Sequence, residues 1–337
     1  MRRPCSDRSR PVDSVDTKRV SAPCPIASWP PFVRPFLAWM TVALLCASAT
    51  AARGQQPPGG TVPKPWNAVL VASFNIQVFG ESKMSKPPVV EVLARVVRNF
   101  DIVAIQEVRA KSDEILPAFV RAINADGSRY QHVIGPREGR TSSKEQYAFV
   151  YDTNRIEVDP TSLGIVPDPQ GRLHRPPMHA RFRTRVNPAA MAFTFWLVNI
   201  HTDPDEVPQE LDALTGVFQA MQAARPDEDD VILLGDLNAG PPEFSAFRRI
   251  PGIGWAVSGM TTNTRRTKTY DNLVFAQPMT GEYLGHAGVL DLQNSYRLSP
   301  EQALEVSDHC PVWGAFYPAE ARPQGLPAMA GQPPVIR

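Results

Sequence analysis

The feature that most constrains this chain is where its polar residues lie relative to its short apolar segments. Between residues 67 and 317, runs rich in Val, Ile, Leu and Ala alternate with amphipathic stretches, and several runs begin or end at an acid, an amide or a histidine. Short apolar runs are typical of buried strands, and helical spacing between them predicts an α/β fold. Polar residues at the ends of such strands can then lie together on one rim of a sheet.

Strand and helix positions follow from this alternation. The strands are predicted at Ala68–Phe74, Ile102–Gln106, Ala148–Tyr151, Ala192–Ile200, Val231–Leu234, Asn272–Phe275 and Pro311–Phe316, with weaker candidates at Gln131–Ile134 and Met178–Val186. Apolar residues at helical spacing predict one helix across 89–100 and a second across 207–221. Each helix is expected to cover a sheet.

The first 51 residues read as an export signal. A basic stretch precedes the apolar run at residues 35–51, which ends in the small-residue pattern Ala49-Thr50-Ala51. The alternative is an anchoring transmembrane helix, but the fully apolar part falls short of the roughly 20 residues that a span needs. We therefore expect a secreted or periplasmic protein without stable membrane association. Residues 52–66 are predicted to be a flexible linker, 67–317 the folded domain and 318–337 a Pro-rich disordered tail.

Charge and cysteine content narrow the possible partners. Without residues 1–51 the chain keeps 28 Lys and Arg against 31 Asp and Glu, a formal charge of −3. Attraction to a polyanion would then depend on local basic clusters and bound metal rather than on total charge. Cys310 is the one cysteine after residue 51, so an intramolecular disulfide is excluded from the predicted domain.

Four polar residues follow apolar runs at positions suited to chemistry. Glu107 ends the near-continuous apolar segment 101–109, and a carboxylate there is costly unless it is paired or binds a cation. Asn75 and His201 each end a strand, although taken alone each is more typical of a turn or a structural residue. Asp236 follows an apolar strand and has an amide two residues on, so both side chains are expected to face one site, an Asx-type turn being the alternative.

Further acids and a histidine precede the last strands. Asp271 comes directly before a predicted strand, and the pair Asp308-His309 comes just before another. Each of these signals is moderate when considered alone. Their order along the chain is what is specific.

In that order the motifs resemble the endonuclease/exonuclease/phosphatase superfamily. The resemblance rests on Asn75, Gln106-Glu107-Val108, His201, Gly235-Asp236-Leu237-Asn238 and Ser307-Asp308-His309, and it spans essentially the whole domain. Other segments are similar specifically to deoxyribonuclease I: Phe74-Asn75-Ile76, Phe79-Gly80-Glu81, Lys83-Met84-Ser85, Gly139-Arg140 with Ser142, and Lys144-Glu145-Gln146-Tyr147. The resemblance implies a four-layer α/β sandwich, in which two packed, mainly antiparallel sheets are flanked by helices.

The resemblance also implies roles for individual residues. Glu107 would hold Mg²⁺ or Mn²⁺, with Asn75 and Asp308 near it, since hard cations prefer oxygen ligands. The catalytic residues implied are His201 paired with Glu145, His309 paired with Asp271, and Asp236 with Asn238, which would orient the attacking water. Whether Asp236 or a histidine removes the proton of that water is left open.

Substrate contacts are implied in the same way. Arg109, Arg140 and Arg175 match positions that contact DNA in the family, so DNA is the expected substrate, cleaved with little sequence specificity. Ser143 stands where the family has a tyrosine against the sugar, which predicts weaker or differently shaped groove binding. Clear equivalents of the family's calcium-binding loops are missing, so structural Ca²⁺ is not expected. We expect a monomer.

Two other functions remain open at this point. One is a lipid or small-molecule phosphodiesterase on the same fold, similar to a sphingomyelinase. The match at Lys83-Met84-Ser85 and Arg140, and the lack of an evident apolar membrane-inserting hairpin, speak against it. The other is a catalytically inactive binding module, which would be expected to have lost some of the polar site groups, yet all are present.

Overall fold

The computed structural model of the chain describes residues 64–224 and 228–320. The predicted export signal therefore lies outside the described residues, as do most of the predicted linker and tail. Contacts at both ends extend the packed unit to the first and last of the described residues. Lys64 forms an ion pair with Asp152 at 2.7 Å, and the backbone N–H of Glu320 bonds to Met191.

The described residues contain twelve strands and six α-helices. The strands are β1 (Val69–Phe79), β2 (Ile102–Val108), β3 (Tyr130–Ile134), β4 (Gln146–Asp152), β5 (Ile156–Ile165), β6 (Met178–Thr184), β7 (Thr194–His201), β8 (Val231–Asp236), β9 (Ile253–Trp255), β10 (Asp271–Ala276), β11 (Tyr283–Val289) and β12 (Val312–Phe316). The helices are α1 (Glu81–Met84), α2 (Pro87–Val97), α3 (Ile115–Ile123), α4 (Val207–Ala224), α5 (Leu292–Tyr296) and α6 (Pro300–Val306).

The strands form two six-stranded sheets. The first has the order β11-β12-β1-β2-β4-β3 and the second β5-β6-β7-β8-β10-β9. The central pairs β1–β2 and β7–β8 are parallel, and the other described neighbours are antiparallel. Because parallel strands end at the same edge, each central pair brings two strand ends to one rim of its sheet.

Three apolar clusters hold the layers together. The cluster between the sheets contains Phe149, Phe195 and Phe316, all essentially inaccessible to solvent. A second lies between the first sheet and α2 and α3, and a third between the second sheet and α4. The order of layers is thus helix, sheet, sheet, helix. The predicted four-layer α/β sandwich is confirmed.

Three strands were missed by the apolar pattern. In β5 the register against β6 shifts between Asp159 and Gly164, and the strand includes the exposed Pro160 and Thr161. In β11 the register shifts between Tyr283 and His286. The third, β9, has only three residues. Edge strands with bulges do not need a continuous apolar run, because one face or one edge meets solvent.

Candidate active site

Strand register brings the polar residues of the second sheet together. His201 lies opposite Asp236 where the parallel strands β7 and β8 end, and Asp271 lies opposite Asp236 where β10 begins. In the first sheet Asn75 of β1 is paired with Gln106 of β2, one residue before Glu107. The two sheets therefore present these side chains at one common rim.

Local backbone geometry makes this rim possible. Gly235 has a φ of +154°, and an added Cβ would lie 1.9 Å from the carbonyl oxygen of Ile200. Only glycine lets β7 and β8 approach so closely just before Asp236. Glu107 and Asn238 have φ values of +61° and +47°, in the left-handed region that non-glycine residues seldom adopt. The chain thus accepts backbone strain at residues that carry functional side chains, a pattern typical of active sites.

His201 is held by a buried carboxylate. Its Nδ1 lies 2.6 Å from Glu145 Oε1, and Glu145 is inaccessible to solvent. The Tyr147 hydroxyl accepts a hydrogen bond from the backbone N–H of His201 at 3.0 Å and fixes the strand end. Because Nδ1 faces Glu145, Nε2 is the ring atom left to face the cleft.

Neighbouring charged groups set the pKa values of His201 and Glu145. Burial acts to lower the pKa of His201, but the carboxylates of Glu145 and Asp236 outweigh it, and the pKa is raised. Burial acts to raise the pKa of Glu145, but His201, Arg175 and Arg109 hold it below its usual value. The geometry therefore favours an imidazolium beside a carboxylate.

The second histidine repeats this arrangement on the other side. His309 Nδ1 lies 2.9 Å from Asp271 Oδ2, and the Thr262 hydroxyl donates to that same oxygen at 2.7 Å. Burial acts to lower the pKa of His309, yet Asp271, Asp236 and Asp308 raise it well above the ordinary value. Nε2 of this ring also points toward the cleft.

Asp236 lies between the two histidines. Its Oδ2 is 3.6 Å from His201 Nε2, 3.5 Å from His309 Nε2 and 3.0 Å from Asn75 Nδ2. Its Oδ1 accepts the backbone N–H of Asn238 at 2.9 Å, in the Asx-type turn that the sequence left as an alternative. Turn geometry and a place in the site therefore coincide at this residue.

The predicted metal ligands lie beside this centre. Glu107 Oε2 accepts the Val78 N–H at 2.8 Å, and Glu107 Oε1 lies 3.3 Å from Asn75 Nδ2. Asn75 Oδ1 accepts the Gln77 N–H at 2.9 Å, so its amide nitrogen rather than its oxygen faces Glu107. As placed, Asn75 orients two carboxylates, and its role as a ligand stays a prediction.

Asp308 supplies an observation that fits a cation. Its Oδ1 is shielded from solvent and has no hydrogen-bond partner within residues 64–224 and 228–320. Both Asp308 and Glu107 act electrostatically on Lys83, whose pKa burial lowers to about 8 against their opposing effect. Carboxylate oxygens such as those of Asp308 and Glu107 are the donors that a hard divalent ion prefers. Asp236, Asp271 and His309 also offer atoms within 4.8 Å of one another, but His309 and Asp271 already bond to each other.

The three arginines differ in how freely they face the cleft. The cleft has a volume of about 350 Å³, and Arg109 and Arg175 are among the residues that line it. Arg109 contacts Glu107 at 3.1 Å and Ser143 at 2.8 Å, while the exposed Arg140 pairs with Glu206. Arg175 is only 8% exposed and lies 3.4 Å from Glu145 Oε2.

Arg175 also has structural contacts, which compete with its predicted contact to DNA. Its guanidinium also donates to the backbone carbonyl of His201 at 3.1 Å. Arg175 therefore stabilises the Glu145 carboxylate at Oε2, whereas the imidazole contacts Oε1. A phosphate contact by Arg175 stays a prediction, and Arg109 has more access to solvent than Arg175.

Several supporting residues were not assigned a role from sequence. Thr262 holds Asp271, and the Ser307 hydroxyl donates to the Asn75 carbonyl at 2.7 Å. Gln106 donates to Asn199 at 2.6 Å in a buried amide contact between the two sheets. Thr262 and Asn199 carry no local sequence signal, because their function depends on a partner far away in the chain. Ser307 and Gln106 did stand within recognised motifs.

Comparison with known proteins identifies the family. The family model described as "Endonuclease/Exonuclease/phosphatase family" matches residues 72–309. The chain belongs to this family. The chain is 33% identical over 257 residues to deoxyribonuclease-1-like 1 of Sus scrofa, covering 73% of this chain and 80% of that protein. It is 32% identical over 264 residues to deoxyribonuclease-1 of Homo sapiens, covering 73% and 91%.

Solved structures agree on the fold of this endonuclease/exonuclease/phosphatase family member. The human Nocturnin catalytic domain matches with a TM-score of 0.51 at 16% identity, covering 74% of this chain and 93% of that one. A humanised D. rerio TDP2 matches with a TM-score of 0.52 at 14% identity, covering 74% and 99%. The resemblance to deoxyribonuclease I is confirmed, and the chain is a phosphodiesterase of this family. Within the described residues no helix is both long and apolar enough to cross a membrane.

Proposed function

We propose that this chain is an exported, divalent-metal-dependent endonuclease that hydrolyses phosphodiester bonds of DNA with little sequence specificity. The observation that carries the proposal is the convergence of His201 Nε2 and His309 Nε2 on Asp236, at 3.6 and 3.5 Å. Each ring is also bonded through Nδ1 to a buried carboxylate. Relatives named as deoxyribonucleases, at 30 to 33% identity, support DNA as the substrate.

The metal proposal concerns Glu107 and Asp308. Both are carboxylates beside Lys83, and Asp308 Oδ1 is shielded without a hydrogen-bond partner in the described residues. When bound there, Mg²⁺ or Mn²⁺ supplies positive charge that neutralises the phosphate and the leaving oxygen. The role of Asn75 is to hold the carboxylates of Glu107 and Asp236 in place through its Nδ2.

The acid–base proposal assigns protons to the two rings. With pKa values raised by their carboxylate partners, His201 and His309 are stable as imidazolium ions, which donate through Nε2 to a phosphorane oxygen or to the leaving alkoxide. Asp236 lies between them, and it orients the attacking water together with Asn238. The Asn238 side chain is itself fixed, since Nδ2 donates to the Thr202 carbonyl at 2.9 Å.

Low sequence specificity follows from the kind of contacts available. Arginine contacts to phosphates set position and affinity but do not read bases. Arg109 lies on the cleft wall beside Ser143, where the short serine offers no aromatic face for stacking on a sugar. We therefore expect duplex binding to depend on a few phosphate contacts and to be weak.

Export is proposed from the sequence alone. The basic stretch followed by the apolar run at 35–51 has the order of an export signal, and these residues lie outside the described ones. Cleavage after residue 51 is checked by N-terminal sequencing of the protein recovered from the medium or the periplasm. Retention of the intact N-terminus in the cytoplasm would contradict export.

A substrate panel tests the catalytic proposal. Supercoiled plasmid, single-stranded DNA, RNA, an abasic oligonucleotide and sphingomyelin are compared with the purified chain under one Mg²⁺ or Mn²⁺ condition. We expect nicked plasmid without a preferred cut site. Rapid turnover of sphingomyelin with intact plasmid would overturn the nuclease assignment while leaving the fold and the site geometry unchanged.

A further inference from the structure

A second group of carboxylates lies at the end of β8 away from the active site. Asp230 directly precedes β8 and Glu228 lies two residues before Asp230, whereas Asp236 is the last residue of the strand. Glu282 precedes β11, and Glu320 follows β12. Six strand residues at about 3.3 Å each place this group roughly 20 Å from Asp236. We call Glu228, Asp230, Glu282 and Glu320 the distal acidic cluster.

The carboxylates of the distal acidic cluster face one another. Asp230, Glu282 and Glu320 each offer an oxygen, and these oxygens lie within 4.8 Å of one another. Glu228 and Asp229 together with Asp230 form a second such set. Asp230 belongs to both sets, so it is the centre of the cluster.

Burial distinguishes this cluster from ordinary surface acids. Asp230 is 3% exposed and Glu282 is 4% exposed. Glu320 is exposed but fixed, because its Oε1 accepts the Thr194 N–H at 2.7 Å and the Thr194 hydroxyl at 3.2 Å. Its carboxylate is therefore held over the buried pair rather than free to turn into solvent.

Two oxygen atoms in the cluster lack a donor. In the described part of the chain, Asp230 Oδ1 and Glu282 Oε2 are shielded from solvent and accept no hydrogen bond. One cationic contact at the cluster is made by Arg181, whose Nε lies 2.9 Å from Glu228 Oε2. A buried carboxylate oxygen without a donor costs free energy unless a proton or a cation satisfies it.

Mutual repulsion adds to this cost. Burial raises the pKa of Asp230 to about 8, with Glu282, Glu228 and Glu320 adding to the rise and the Thr280 hydroxyl opposing it. Burial likewise raises the pKa of Glu282 to about 7. Both carboxyl groups therefore hold protons more readily than isolated acids do, and a cation that binds them must displace those protons.

We propose that the distal acidic cluster is a structural calcium site, separate from the catalytic metal site. The sequence did not predict it, because the expectation of no structural Ca²⁺ concerned only the family's calcium-binding loops and these carboxylates meet only in the folded sheets. The ligand atoms available are all carboxylate oxygens, contributed by Asp230, Glu282, Glu320 and Glu228. Calcium accepts six to eight oxygens and several carboxylates, whereas magnesium retains most of its waters and takes only one or two carboxylates. The set contains neither histidine nor cysteine, the ligands that transition metals and zinc prefer.

Binding there would tie three parts of the fold together. Asp230 precedes β8 of the second sheet, Glu282 precedes β11 of the first, and Glu320 lies next to Thr194 of β7. An ion among them cross-links the two sheets at the end opposite the catalytic rim. Its effect should therefore be on stability, and turnover at low temperature should be unaffected.

Thermal unfolding of the full chain with and without Ca²⁺ tests the proposal. After treatment with EGTA, saturating Ca²⁺ should raise the Tm by about 5 °C, the size expected for a site filled well above its Kd in a domain of this length. The shift should persist in Glu107→Gln, which weakens only the catalytic metal site, and in Asp212→Asn, a matched loss of one surface carboxylate. It should be lost in Asp230→Asn and in Glu282→Gln.

Without Ca²⁺ the variants should behave in the opposite way. Asp230→Asn removes a buried carboxyl group whose ionised form is disfavoured by burial, so its Tm in EGTA should equal or exceed that of the unchanged chain. Glu320→Gln alters an exposed side chain, so the variant should fold normally. It should weaken Ca²⁺ binding at least roughly 10-fold, as measured by calorimetry. A Tm shift of full size in Glu282→Gln or Asp230→Asn, or no shift in the unchanged chain, would overturn the site and leave protons as its only occupants.

Discussion

Replacing Glu145 by glutamine isolates the charge that supports His201. The glutamine keeps the size and burial of the side chain, and its oxygen can still accept a hydrogen bond from His201 Nδ1. It removes the larger of the two carboxylate effects that outweigh burial at the ring, leaving Asp236 to raise the pKa of His201 against burial and Arg175. The pKa of His201 should therefore fall, and the imidazolium form should be less stable.

The size of both effects follows from the contacts. Loss of one positioned acid–base group lowers turnover by about 10² to 10⁴-fold, so Glu145→Gln should lower kcat by at least roughly 10². Arg175 is 8% exposed and cannot turn to solvent, so breaking its buried pair should cost about 3 kcal/mol of unfolding free energy. Arg109 is more exposed and adds little.

The assay combines urea unfolding with plasmid nicking, measured well below the Tm of each variant. Glu157→Gln is the matched control, since Glu157 pairs with Arg183 and Arg185 at the surface, where loss of a pair costs below about 1 kcal/mol. The control should keep full turnover. Adding Arg175→Gln to Glu145→Gln should restore part of the stability without restoring activity. Near-normal turnover by folded Glu145→Gln would refute the reasoning.

Three further predictions concern other parts of the site. Because Asp271 and Asp236 raise the pKa of His309, its ionic stabilisation is fully present below about pH 6.5 and is lost as the pH rises through the raised folded value. The free-energy difference between the unchanged chain and His309→Asn in urea unfolding should therefore shrink at high pH; a difference that grows would contradict it. Arg109→Ala should reduce cleavage of duplex DNA more than cleavage of a small activated phosphodiester, and should flatten the fall of activity with salt; equal losses on both substrates would argue against a DNA contact. Gly235→Ala should destabilise the fold by several kcal/mol, seen as a lower urea midpoint, because its Cβ would lie 1.9 Å from the Ile200 carbonyl; an unchanged midpoint would mean that the strands relax freely.

Sequence was sufficient where chemistry and strand pattern coincide. Glu107, His201 and Asp236 stand at the ends of apolar strands, so their meeting at one rim was predictable from pattern alone. Glu145 is different, because it lies outside a recognisable apolar run and was paired with His201 only through family resemblance. In the structure, His201 Nδ1 lies 2.6 Å from Glu145 Oε1. Its catalytic role stays a prediction.

What sequence did not reveal depends on contacts between distant segments. Thr262 meets Asp271 through a loop whose path no local pattern indicates. The burial of Arg175 against Glu145 depends on the path of the loop that precedes β6, which no local pattern indicates. The distal acidic cluster has the same origin, since Asp230, Glu282 and Glu320 are far apart in the chain and meet only in the folded sheets.

The central claim is that one site combines a divalent ion with two imidazoles to hydrolyse DNA. It is tested most directly by plasmid nicking after EDTA treatment, with Mg²⁺ or Mn²⁺ titrated back into the unchanged chain and into Glu107→Gln. We predict no cleavage in EDTA, full recovery with metal for the unchanged chain, and recovery of Glu107→Gln only at much higher metal concentration. Full activity in EDTA, or identical metal curves for the two proteins, would contradict the account.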